Sequence, residues 1–156
     1  MVSTVSDPVG DAQAHAPAFQ DVVAGQMTRT ANGDFELVME LAGPVPGTPN
    51  RPGRSEIWWA WAFDLDPTTS PAGYPFREAG GRRPEFLVYV SWDGTEFAGT
   101  AIDRRPLLTG GEAVITPVAF RISGTTIEAV APSKLIGVVP ASFHWAPVAL
   151  GWSVNA

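Results

Sequence analysis

The chain has 156 residues, an apolar fraction of 45% and no cysteine, which suits one domain (1–156) built round one hydrophobic core without covalent staples. Its formal charge of −6, with a single lysine, Lys134, and no run of basic residues, would repel a phosphate backbone, so nucleic acid is excluded as the expected partner. The 15 prolines and 16 glycines argue for a turn-rich β protein rather than a helical bundle, and no 18-residue apolar run offers a membrane-spanning helix.

The N-terminal stretch "SDPVGDAQAHAPAFQDVV" carries Asp7, Asp11 and Asp21 among Pro, Gly and Ala without apolar periodicity. Residues 1–19 therefore read as an irregular lead-in whose aspartates either cap turns or converge on a cation. "MVSTVSDPVG" has neither the basic nor the apolar region of a secretory leader. As it stands the chain reads as cytoplasmic; it would be extracellular if a leader had been removed.

Next, "DVVAGQMTRT" and "DFELVMEL" flank Asn32-Gly33, the signature of a hairpin with a type I′ turn. Alternation puts Phe35, Leu37, Met39 and Leu41 on one face and Glu36, Val38 and Glu40 on the other, a strand with one wet side. After the Pro/Gly-rich "AGPVPGTPNRPGR", the continuous apolar run "SEIWWAWAFDLD" predicts a central strand covered on both faces. Within it Trp59 and Trp61 share a face with Ile57 and Phe63, while Trp58 shares the other with Ala60, Ala62 and Asp64. One large ring beside two small side chains would leave a shallow groove if nothing large packed over it. Aromatic platforms of this kind stack flat ligands such as sugar rings. Trp58, with Trp92 and Trp145 from other strands, is the candidate ligand-binding set.

At the end of that run, Asp64 and Asp66 leave the sheet on one face, where they repel unless a cation or donor sits between them. Calcium suits such a place, because it takes six to eight oxygens, including carbonyls of irregular backbone. The stretch is not an EF-hand, since Thr69 stands at the sixth loop position and Pro75 at the twelfth. A second long loop, "PTTSPAGYPFREAGGRRP", is either functional or a plain connection.

"EFLVYVSW" and "TEFAGTAI" flank Asp93-Gly94, and "AVITPVAFRI" and "TTIEAVA" flank Ser123-Gly124, predicting two more hairpins. "PSKLIG" predicts one short helical turn near 132–137, opened by Pro132 and Ser133 and ended by Gly137. "ASFHWAPVALGWSVNA" closes the chain as a strand broken or bulged at Pro147 and Gly151. The sum is about eight strands with regularly spaced turns, the pattern of an all-β antiparallel sandwich of jelly-roll type.

Catalytic signatures are missing: there is no nucleophile elbow, phosphate loop or H-E-x-x-H. His15 and His144 are too far apart in sequence to suggest a zinc site, and a strand histidine beside Trp145 is more often structural than a base.

The order D-P-x-G-D, then "AFQDVV", then "AFDLDPTTSPAG", then "IEAVAPSKLIG" resembles the family 9 carbohydrate-binding-module-like and DOMON β-sandwiches. It is also similar to the calcium-binding domain at the C-terminus of glucodextranases. That resemblance implies a structural calcium held by Asp7, Asp11 and Asp21, with Asp64 or Asp66 as further candidates. "APSKLIG" departs from the usual pattern by Ile136, inserted before the glycine. A heme-binding DOMON would need a methionine and a histidine as axial ligands; Met39 and His144 are present but match no motif.

The function expected first is a non-catalytic, calcium-stabilised module binding a carbohydrate or small apolar ligand through an aromatic-lined groove. The alternatives are a small cyclase or isomerase using the sandwich interior as its pocket, with Asp64 or Glu128 as the acid, and a surface or assembly protein pairing through exposed strand edges.

Overall fold

A computed structural model of the chain describes residues 1–10, 16–49, 56–71 and 83–152. The wet-faced strand is β3 (Phe35–Leu41), alternately buried and open along its length. It pairs with β2 (Val22–Arg29) on one side and β9 (Thr126–Ala131) on the other. β1 (Val2–Ser6) and β8 (Phe120–Ser123) complete a five-stranded sheet in the order β1-β2-β3-β9-β8. The apolar run forms β4 (Glu56–Asp64), flanked by β5 (Phe86–Trp92) and β10 (His144–Trp152). With β6 (Phe97–Asp103) and β7 (Val114–Pro117) it makes the second sheet, β10-β4-β5-β6-β7. Every pairing is antiparallel. The two sheets form the sandwich that the period-two pattern predicts.

The space between the layers is filled by Leu37, Met39 and Ile127 from one sheet and Trp59, Trp61, Phe63, Val88 and Val90 from the other, all fully buried. The two deepest indoles each find a backbone acceptor, Trp59 Nε1 to the Phe19 carbonyl at 2.8 Å and Trp61 Nε1 to the Val38 carbonyl at 3.3 Å. Such bonds let a tryptophan be buried without stranding its N–H. The second face of β4 is also covered, for Ala60, Ala62, Leu87 and Val148 are all buried there.

Several local expectations change. The lead-in is not irregular throughout, because Val2–Ser6, rich in β-branched residues, adds to the edge of β2. The β2–β3 hairpin is real but turns one residue earlier than a type I′ turn. Gly33 N donates to the Thr30 carbonyl at 3.0 Å and Gly33 takes a φ of 89°, so the glycine follows the turn instead of sitting at its centre. Likewise the β8–β9 loop is Gly124-Thr125 rather than Ser123-Gly124, with Ser123 opposite Thr126.

The stretch "AVITPVAFRI" is two strands, in different sheets. The chain crosses between layers at Val118 and Ala119, where Val118 N donates to the Gly99 carbonyl at 3.1 Å. A Cβ on Gly99 would lie 2.5 Å from the Val118 carbonyl oxygen, so only glycine lets the crossing come this close. β1 and this division raise the strand count among the described residues above the expected eight. The short helix α1 (Ser133–Ile136) lies where "PSKLIG" predicts it and ends at Gly137. Its first amide is capped from a distance: Ser133 N donates to Asp34 Oδ1 at 2.8 Å. That bond holds the Asp34 carboxyl below the usual carboxylate range. No helix among the described residues is long and apolar enough to cross a membrane.

Candidate functional site

Strand pairing draws two of the N-terminal aspartates together. β1 runs antiparallel to β2 until Ser6 stands opposite Ala24, and Asp7 N then donates to the Val23 carbonyl at 2.9 Å. The chain doubles back through Gly10, whose φ of 86° is a left-handed conformation that glycine adopts without strain. Gly10 N donates to Asp21 Oδ2 at 2.7 Å. Asp21 itself is only 6% exposed, tied by its backbone to Ala18 and Ala42. Its second carboxylate oxygen, Oδ1, is buried with no hydrogen-bond partner. A buried polar atom left unpaired costs about 1–3 kcal/mol, and a buried carboxylate oxygen is a strong ligand for a hard cation.

The Asp7 backbone is thus bonded two residues along the chain from Asp21, and Asp11 lies outside the described residues. Among the described residues no three acidic, histidine or cysteine side chains stand close enough to cage an ion by themselves. Asp21 Oδ1 fits calcium as one ligand of a set that carbonyls and water must help to complete.

Asp64 and Asp66 lie at the other end of the sandwich. Gln20, beside Asp21, bonds the Leu150 carbonyl at 3.1 Å, and Leu150 stands opposite Trp58. Asp64 stands opposite His144, six residues further along β4, or about 20 Å at the usual rise per residue. The two groups of aspartates therefore cannot share an ion. Asp66 Oδ1 caps its own turn, accepting from Thr68 N at 2.9 Å and Thr68 Oγ1 at 2.6 Å. The Thr68 hydroxyl first, then its amide, holds the Asp66 carboxyl below the usual range.

That end contains an acid that no motif in the sequence marks. Glu85 is 2% exposed. Its Oε2 accepts from Leu65 N at 2.6 Å, and its Oε1 accepts from Thr69 Oγ1 at 2.7 Å. Arg104, also buried, donates its backbone N to the Glu85 carbonyl at 2.7 Å and Nη1 to the Pro84 carbonyl at 3.1 Å. Burial pushes the Arg104 guanidinium down from its ordinary pKa, Arg83 adds to this, and the Glu85 charge opposes it. Next to it Arg105 grips Asp103 with two bonds of 2.8 Å. The available signal was Glu85 at the head of a largely apolar strand, with Arg104 and Arg105 just beyond the strand paired to it.

The three candidate tryptophans do not share a groove. Trp92 is buried between the layers, 4.8 Å from the Phe97 ring centre. Trp145 packs against the same core and donates Nε1 to Ser3 Oγ at 2.9 Å. Trp58 faces the other way, lying flat on Tyr89 with ring centres 3.9 Å apart and planes 3° from parallel, and donating Nε1 to Glu56 Oε1 at 2.5 Å. The small residues beside it, Ala60 and Ala62, are buried, so the expected shallow groove is closed. Burial pushes the Tyr89 hydroxyl pKa up.

Concavity is found instead on the outer face of the first sheet. A hollow of about 450 Å³ is lined by Glu36, Val38, Phe120, Arg121, Glu128 and Val130. A second, of about 390 Å³, is lined by Thr4, Ser6, Ala24, Gln26, Val38 and Glu40. Val38 belongs to both. The register aligns Thr4, Gln26, Val38, Glu128 and Arg121 in one row across the five strands. In it Arg121 pairs with Glu128 at 2.9 Å, while Glu40 accepts from Thr125 Oγ1 at 2.5 Å and Thr126 Oγ1 at 2.8 Å.

No known protein family, curated protein or solved structure matches the chain.

Proposed function

We propose that this chain is a non-catalytic β-sandwich module, stabilised by a calcium ion at Asp21, that binds a carbohydrate on the outer face of its first sheet. The observation that carries the metal reading is the buried, unpartnered Oδ1 of Asp21 beneath the Gly10 amide. The ligand reading rests on two contiguous hollows lined by carboxylates, an amide and hydroxyls, groups that exchange hydrogen bonds with sugar hydroxyls. The close-packed indoles between the layers weigh against an interior reaction chamber.

Calorimetric titration with calcium, then shift titration with soluble polysaccharides, tests both parts. Saturable calcium binding is expected, as are polysaccharide-induced shifts centred on Gln26, Val38 and Glu128. No calcium heat would refute the metal reading. Shifts centred on Trp58 and Tyr89 would return the ligand to the aromatic face, and no shifts with any polysaccharide would remove the carbohydrate.

Assembly through a sheet edge is the second reading, favoured by Val114 and Ile115, 53% and 67% exposed on edge strand β7. Sedimentation over a concentration series would reveal it as a mass above that of one chain, lowered by Ile115→Lys.

A further inference from the structure

We infer that the ion at Asp21 is the latch of strand β1, so that calcium controls whether the N-terminal strand is docked and one wall of the ligand face is present. This rests on the calcium reading of Asp21 above. β1 is an edge strand with four of five residues exposed. It is bonded along one side only, to β2. The Trp145–Ser3 bond is a side-chain tie from β1 to the other sheet. Strands with so little burial open at low free energy.

The segment after β1 governs whether the strand stays docked. Asp7 N bonds the Val23 carbonyl, two residues from Asp21, and three residues later Gly10 N closes onto Asp21 Oδ2. The closed loop bonds a carboxylate whose Oδ1 is buried with no protein donor. Without a cation, rehydrating that oxygen favours lifting Gly10 away, and β1 frays from its Asp7 end. With a cation on Oδ1 the penalty is removed and the closed loop is favoured. Strand docking and ion binding are therefore coupled, and by linkage each strengthens the other by the same factor. Thr4 and Ser6 line the second hollow, so an undocked β1 also removes that wall.

The readout is amide hydrogen exchange of the full chain by NMR, in calcium and in chelator. The bonds Arg29 N to the Met1 carbonyl and Asp7 N to the Val23 carbonyl put the odd-numbered residues of β1 in hydrogen-bonded pairs. The amides of Ser3, Val5 and Asp7 are thus the reporters, with Leu37 and Met39 of β3 as controls. Calcium is expected to slow the reporters by about tenfold or more and leave the controls unchanged. Asp21→Asn is expected to abolish both the calcium heat and this protection while the controls stay protected. Val5→Pro, which removes one β1 bond, is expected to weaken calcium binding.

If calorimetry shows calcium binding but the reporters exchange equally fast with and without it, the latch is refuted and the metal reading stands. An unchanged calcium affinity in Val5→Pro would also refute it. If no calcium binds, the metal reading fails and the latch fails with it.

Discussion

Among the described residues the sandwich buries Asp21 beside the N-terminal loop at one end, and Glu85 beneath the turn after β4, with Asp64, at the other; Asp21 and Glu85 are treated differently. Glu85 receives the Leu65 amide and the Thr69 hydroxyl and lies near the buried Arg104. Asp21 receives the Gly10 amide on one oxygen and nothing on the other. The first is a closed polar network, which a buried charge requires to be tolerated. The second is short of one partner, and a missing partner is where a ligand from outside the chain can contribute. The same residue chemistry thus serves as a structural clasp at one end and keeps an unpaired oxygen at the other, according to how many donors the chain brings to it.

Four measurements can break or sharpen this contrast. The largest effect belongs to Glu85→Ala, which strands the Leu65 amide and removes the carboxylate charge near the buried Arg104. It should destabilise the protein by about 3–5 kcal/mol in denaturant unfolding, equally in calcium and in chelator. A calcium-dependent loss would mean that the two ends are not independent.

Second, chelation should lower the stability of the native chain by about 2–3 kcal/mol relative to calcium at a hundredfold its dissociation constant. Asp21→Asn should remove that difference, because in the proposed reading the ion binds the folded state through Oδ1. An equal melting temperature with and without chelator would leave Asp21 as a buried acid with no ligand.

Third, Thr69→Val deletes one donor from the Glu85 network and should cost about 1–2 kcal/mol, read from the unfolding midpoint. A larger loss would show that Thr69 has a further role in the turn.

The smallest effect is an acid shift. Hydrogen bonds hold Asp66, Asp34 and Asp93 below the usual carboxylate range in the folded chain, while unfolding returns them to about 3.9. The stability they lend is therefore complete above that value and is lost as the pH falls through their lower folded values. Asp66→Asn should lower stability slightly near neutrality and make the unfolding midpoint less steeply dependent on pH below about 4.

How much of this was legible in the sequence differs between the two ends. The strand faces could be read directly, since Phe35, Leu37, Met39 and Leu41 alternate with polar residues and the run at 56–64 does not alternate. So could the central place of β4 and the helical turn at 133–136. The residues of the N-terminal stretch left open whether Asp7 and Asp21 cap turns or converge, and the resemblance implied that they converge; the pairing of β1 with β2 is what brings their backbone segments close. Asp64 and Asp66 looked like a natural companion pair because two-residue spacing puts both on one face. Distance along β4 separates them from Asp21, and Thr68 satisfies Asp66 locally. Glu85 was missed because its partners, Leu65, Thr69 and Arg104, are contributed by other segments.

Local chemistry alone determined that this protein is an all-β sandwich, because period-two alternation and turn residues act over a few positions and leave a record in linear order. Tertiary structure decided which sheet each strand joined, as at the Val118 crossing that Gly99 permits. It also decided that Trp92 belongs to the core while Trp145 packs against it, that Trp58 lies against Tyr89, and that of the buried acids among the described residues only Asp21 keeps an oxygen without a partner. Those outcomes depend on which distant segments pack together, and burial and hydrogen-bond satisfaction are properties of that packing rather than of any single stretch of chain.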